Sequence, residues 1–168
     1  MITISDAETQ LEKFLAKYTP EIAGLAKAAL IKMRKRLPGA VEMVYDNYNA
    51  LVIGFCPGER PSEVIFSIAL YPRWINLFFA QGKGLSDPEK LLKGSGNRVR
   101  SIVLESAGTL DDPRVRDLID EALERAAVPI DSTKKRKLMI RAIAAKQRPR
   151  RPPKQAARAT DRERQYLR

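Results

Sequence analysis

The chain has 168 residues, with 31 Lys and Arg against 20 Asp and Glu and no histidine, for a formal net charge of +11. Without an imidazole it cannot build a Ser-His-Asp or Cys-His nucleophilic site or a histidine-based zinc site from its own residues. One cysteine, Cys56, excludes an internal disulfide framework and fits a reducing compartment.

The charge is unevenly placed. Residues 1–130 hold 17 basic and 17 acidic side chains, whereas residues 131–168 hold 14 and 3, so the body is neutral and the tail carries the whole excess. A neutral body with a cationic extension puts long-range attraction for polyanions in the extension. The apolar runs at 50–56 and 64–70 are far shorter than the roughly 20 residues of a membrane-spanning helix. The amino-terminal MITISDAETQLEKF lacks the basic start and apolar run of a signal peptide, and the expectation is a cytoplasmic protein.

In chain order, Ser5-x-x-Glu8 has the form of a capping box, and Leu11, Phe14, Leu15 and Tyr18 recur at helical spacing, which predicts a helix over 6–18. Thr19-Pro20 opens a second, with Ile22, Leu25, Ala29, Leu30, Met33 and Leu37 on one face and Pro38-Gly39 as its stop. Short β-rich runs follow at 41–48, 51–56, 63–71, 74–80 and 98–106, separated by turn residues that imply consecutive antiparallel strands. Asp87-Pro88 predicts a short helix to Leu92, and Asp112-Pro113 a closing helix with Val115, Leu118, Ile119, Ala122, Leu123 and Ala126 buried. The resulting class is α+β: helices on one face of a mainly antiparallel five-stranded sheet. Residues 131–168 are expected to form a separate basic tail, weakly helical over 134–147 and disordered from the proline-rich RPRRPPK at 148–154 onward.

Three segments, LPGAVEMVYDNY at 37–48, IALYPRWINLFFAQGKGLSDPEKLLKGSGNRVRSIVL at 68–104 and DDPRVRDLIDEAL at 111–123, resemble the YdhG-like family of bacterial domains of unknown function. The likeness covers most of residues 5–128 and none of the tail. It implies a compact α+β sandwich, and because some relatives are frataxin-like, it also raises iron delivery as an alternative role.

Four groups of residues are candidates for chemistry. Lys93, Arg98 and Arg100 flank the glycines of KGSGNRVR, where exposed amides and cations suit an anion, although the same glycines serve a tight turn equally well. Tyr71 and Trp74, with Tyr45, Tyr48, Phe78 and Phe79 on the predicted strands and their turns, can line an aromatic pocket with a rim of Lys83 and Arg98, or can serve as core and cross-strand pairs. Asp117, Asp120, Glu121 and Glu124 share a face of the closing helix and are the metal candidates, although Arg116 and Arg125 at helical spacing also make it an ordinary solvated face. Glu42 and Asp46 share a strand face about 13 Å apart, too far to act as a catalytic pair. In the tail, Lys134, Lys135, Arg136, Lys137, Arg141, Lys146, Arg148, Arg150, Arg151 and Lys154 can neutralise phosphates, while the single aromatic, Tyr166, gives no basis for base stacking.

The expected function is therefore a non-enzymatic module that binds a small ligand or protein partner at its sheet, needs no cofactor, and carries a tail with non-specific affinity for nucleic acid. The alternative is a frataxin-like iron carrier working from the acidic helix face.

Overall fold

The computed structural model describes residues 5–153, and the end of the predicted tail, including Lys154 and Tyr166, lies outside them. Helices α1 (Asp6–Leu15) and α2 (Pro20–Arg36) start at the predicted caps. The Ser5 hydroxyl accepts the Glu8 amide, and the Thr19 hydroxyl accepts that of Ile22. Strands β1 (Val41–Asp46), β2 (Leu51–Cys56), β3 (Phe66–Leu70), β4 (Ile75–Phe79) and β5 (Arg100–Val103) follow as an antiparallel meander, and α3 (Pro113–Arg125) closes the predicted set behind an Asp112 cap.

A sixth strand, β6 (Lys137–Ile143), corrects the reading of the tail as a weak helix. The sheet is six-stranded and mixed, in the order β5-β4-β3-β2-β1-β6, with β6 parallel to β1 and a register shift between Val44 and Tyr45. The Lys- and Ala-rich composition of 134–147 favours a helix in isolation. The unpaired edge of β1 overrides it, because six backbone groups there need partners and Leu138 and Ile140 alternate onto the core side. The sheet therefore draws part of the basic segment into the fold.

All three helices cover one face. Along β1 to β4, Val44, Leu51, Ile53, Phe55, Phe66, Ile68, Leu70, Ile75, Leu77 and Phe79 point to that side and merge with Leu15, Ile22, Leu30, Met33, Leu118 and Ile119 in a single core. Each of the larger side chains contributes about 1.5–3 kcal/mol of hydrophobic stabilisation when fully buried. Phe66 and Phe79 meet edge to face at 5.6 Å across the β3–β4 pair. The Tyr18 hydroxyl, just past α1, donates to the Leu70 carbonyl and accepts the Leu51 amide, tying the helix layer to β2 and β3. The opposite face of the sheet has no helix on it and carries half-buried Tyr45, Val52, Asn76, Phe78 and Met139.

Two local features depart from the expected pattern or explain it. Residues 87–92 are a turn rather than a helix: the Asp87 carboxylate accepts the amides of Leu91 and Leu92 at 2.9 Å each, and Lys90 adopts φ 53°. A side chain that captures those amides competes with the helical ladder. Gly39, at φ +85°, ends the α2–β1 connection where the Asp131 carbonyl passes so close that no Cβ fits between them. The chain entering β6 is thus seated against the turn that precedes β1. No helix among the described residues is long and apolar enough to cross a membrane.

A chain ending at Ile130 lacks β6 and the cations that follow it. We expect it to lose cooperative urea unfolding or to unfold at a clearly lower midpoint, since it removes Leu138 and Ile140 from the core, leaves the β1 edge unpaired and takes one of two cations from each buried carboxylate, while a domain holds only about 5–15 kcal/mol in total. A midpoint equal to that of the full chain would show that the body folds without the tail.

Candidate ligand-binding site

The helix-facing side of β1 reads Glu42, Val44, Asp46, and both carboxylates are fully buried. Arg34 of α2 grips Glu42 through Nε, at 3.1 and 3.0 Å to its two oxygens, and through Nη2 at 2.8 Å. Arg136 adds a bond at 3.2 Å and reaches on to Glu8 at 2.7 Å. Asp46 takes Lys17 Nζ at 2.8 Å on one oxygen and Arg150 Nη2 at 2.9 Å on the other. The Arg150 side chain is only 4% exposed and lies 5.8 Å from the centre of the Tyr18 ring. Two of the predicted polyanion contacts, the partly exposed Arg136 and the buried Arg150, are thus committed to carboxylates of the body. Lys137 is also paired, with Glu59.

Arg150 determines the path of the segment after β6. The Ala144 amide donates to the Asp46 carbonyl, the Arg148 amide donates to the Tyr48 carbonyl, and Gln147 Nε2 bonds the Asp46 carbonyl at 3.1 Å. Arg151 donates to the carbonyls of Lys17 and Ala16, at the carboxyl end of α1 where positive charge complements the helix dipole. The segment therefore runs under the β1–β2 turn toward the β3–β4 turn. There, Tyr71 and Trp74 face each other across the Pro72-Arg73 reversal, with the Tyr71 amide on the Trp74 carbonyl at 2.9 Å and the rings stacked at 4.8 Å and 18°.

The two chain segments enclose a groove of about 840 Å³. One wall is Tyr71, Pro72, Arg73 and Trp74; the other is Arg148, Pro149 and residues 151–153. Trp74 is 43% exposed despite its size. The Arg148 guanidinium lies 5.5 Å from the Tyr48 ring centre. Among the described residues, neither Arg73 nor Arg148 has a carboxylate partner. The groove joins an exposed aromatic stack to cations that nothing in the described fold neutralises. A flat anionic ligand can stack on the rings while its charge meets the arginines.

The predicted site residues do not converge. Tyr71 and Trp74 belong to this groove, but Arg100 pairs with Phe79 at the far end of β4, and Lys93 exchanges backbone bonds with Ser101 beside it. The Arg100 guanidinium folds back on the Gly96 and Val99 carbonyls at 2.7 and 2.8 Å, bracing its own loop. Arg98 lines a different cleft, described below. On α3, Asp120 pairs with Arg36, while Glu121 pairs with Arg125 and accepts the Ser86 amide. Asp117 and Glu124 are exposed, and among the described residues no three metal-ligating side chains come together. Lys134, Lys135, Arg141 and Lys146 are exposed along the β6 side.

The sequence reading missed that Arg148 meets the body's aromatics, because the meeting depends on where Arg150 docks. A signal was present: two acidic residues four apart on the core side of a strand require cations from elsewhere in the chain.

Burial pushes the Asp46 carboxyl upward, but hydrogen bonds led by Lys17, followed by Gln147 and Arg150, more than offset it and hold the group below its ordinary 3.8. Ionised Asp46 therefore stabilises the fold, fully above the unfolded value of 3.8 and decreasingly as pH falls through the lower folded value. Urea midpoints of the native protein should drop as the solution is taken below pH 3.8, and D46N should show a smaller drop. Equal acid sensitivity in the two proteins would contradict this.

Cys56 lies at the end of β2, 1% exposed, and burial, with a further push from Glu63, raises its thiol to about 11. It should react with a thiol reagent at neutral pH only when the protein unfolds; rapid labelling of the native protein would contradict the burial.

A scan against protein-family models gave no match, and neither the curated proteins nor the solved structures contained a significant similarity to this chain.

Proposed function

We propose that this protein is a non-enzymatic module that binds single-stranded nucleic acid, with bases stacking on Trp74 and Tyr71 and phosphates meeting Arg73, Arg148 and the cations of the basic segment that have no carboxylate partner among the described residues. The observation that carries the reading is the shared groove, in which an exposed aromatic stack faces arginines from the carboxyl-terminal segment. Stacking on an aromatic face is worth about 1–3 kcal/mol per base and tolerates any sequence. The net charge of +11 adds long-range attraction.

The absence of enzymatic chemistry is part of the proposal. It is supported by the bonding of the buried acids: Glu42 and Asp46 are each bound by two cations and are shut away from solvent, so neither offers a free carboxylate to a substrate. YdhG-like membership and a cytoplasmic setting also belong to the proposal. The first rests on the three sequence segments and the α+β arrangement, and the second on the lone unpaired Cys56.

Trp74 is the single tryptophan, so its emission reports directly on the groove. Oligothymidylate at low salt should quench it saturably. Polarisation of a labelled oligonucleotide should show W74A binding at least about fivefold more weakly, and R73Q/R148Q lowering the salt slope by about 1.4. Absence of saturable quenching would refute the reading, and so would unchanged affinity of W74A.

A further inference from the structure

A second cleft, of about 690 Å³, opens at the other end of β4, between the last turn of α3 and the loops that enter β3 and β5. Its floor is apolar, formed by Val64, Ile65, Leu85, Ala122, Ala126 and Val128. Val128, 42% exposed, stands at the mouth of the cleft and adds apolar surface continuous with that floor. The volume is in the range of about 300–1,000 Å³ typical of small-molecule sites.

The rim is built from the 82–84 turn, which is pinned at both ends. The Lys83 amide donates to the Arg98 carbonyl at 2.9 Å, and Arg125 Nη1 donates to the Gly84 carbonyl at 2.6 Å. Gly82 packs so tightly on Arg100 that a Cβ there would meet that residue's side chain and backbone. This close approach holds the turn that carries Lys83 next to the loop that carries Arg98 on the cleft. Arg125 is occupied by Glu121 and the Gly84 carbonyl. Lys83 and Arg98 have no carboxylate partner among the described residues, and the one acid lining the cleft, Glu63, lies 3.9 Å from Arg60. An apolar floor beside two uncompensated cations selects a ligand with the opposite pattern: one anionic head and an apolar body.

The geometry points to a binding site for a small amphipathic carboxylate, its head on Lys83 and Arg98 and its body along Val64, Leu85 and Ala126. This site is separate from the Trp74 groove, shares no lining residue with it, and does not depend on nucleic acid binding.

Calorimetric titration of the full chain with octanoate tests the assignment, with octanamide as the uncharged match. Octanoate should bind saturably at one site, and K83Q/R98Q, which changes only partnerless surface cations, should weaken it about tenfold, equivalent to about 1.4 kcal/mol. Ala126→Phe, which fills the floor, should abolish it, and octanamide should bind as weakly to the native protein as octanoate does to K83Q/R98Q. Absence of saturable octanoate binding, unchanged affinity in K83Q/R98Q, or equal binding of octanamide and octanoate to the native protein would each overturn the site. W74A should bind octanoate normally; a loss there would relocate the ligand to the nucleic acid groove and overturn the assignment as well.

Discussion

A carboxylate taken out of water must find cations or lose its charge, and β1 buries two of them on the side that faces the core. Glu42 and Asp46 flank Val44, which packs into the main apolar cluster, so neither acid can turn outward without inverting the strand. Their partners come from widely separated parts of the chain: Lys17 after α1, Arg34 in α2, and Arg136 and Arg150 from the basic segment. Ion pairs this deep add little net stability over an apolar core, because desolvation consumes most of the Coulomb gain. Their effect here is to select one arrangement. Only a chain path that delivers Arg136 near Glu42 and Arg150 near Asp46 gives each acid a second cation beside Arg34 and Lys17.

That requirement connects the sheet to both proposed binding surfaces. With Arg136 and Arg150 fixed, β6 runs parallel to β1, and the segment after it passes beneath the β1–β2 turn. Arg148 and Arg151 then line the groove with Tyr71 and Trp74, which the β3–β4 reversal holds in a stack. The basic segment therefore has two physical roles. Some of its cations neutralise the interior, and others remain at the surface for an external anion. The carboxylate cleft lies at the opposite end of β4 and is shaped by a different device, the pinned turn at 82–84.

Local patterns made most of the architecture legible. Capping residues at Ser5, Thr19 and Asp112 and alternation along β1 to β4 are short-range signals, and the corresponding elements begin where those residues stand. The turn at 87–92 was misread because Asp87 resembles a helix cap while its carboxylate takes amides that belong to a different geometry. β6 was misread for a deeper reason. Its intrinsic preference is helical, and what overrides it is an unpaired strand edge about a hundred residues earlier in the chain, together with the two acids on that strand. The site was half legible on the same grounds: Tyr71 and Trp74 are neighbours in sequence, but Arg148 reaches them only through the docking of Arg150. Glu42 and Asp46 were visible as acids sharing a strand face, and asking which cations must follow them inward would have tied the tail to the body.

The central claim is that the Asp46–Arg150 pair fastens the carboxyl-terminal segment to the sheet. A double-mutant cycle measures it directly, using urea unfolding of the native protein, D46N, R150Q and the D46N/R150Q combination at neutral pH. The account predicts that each single change is strongly destabilising and that the double change costs much less than their sum, with a coupling of about 1–3 kcal/mol. Additive effects would mean that the two residues stabilise the fold independently and that the segment is held by something else.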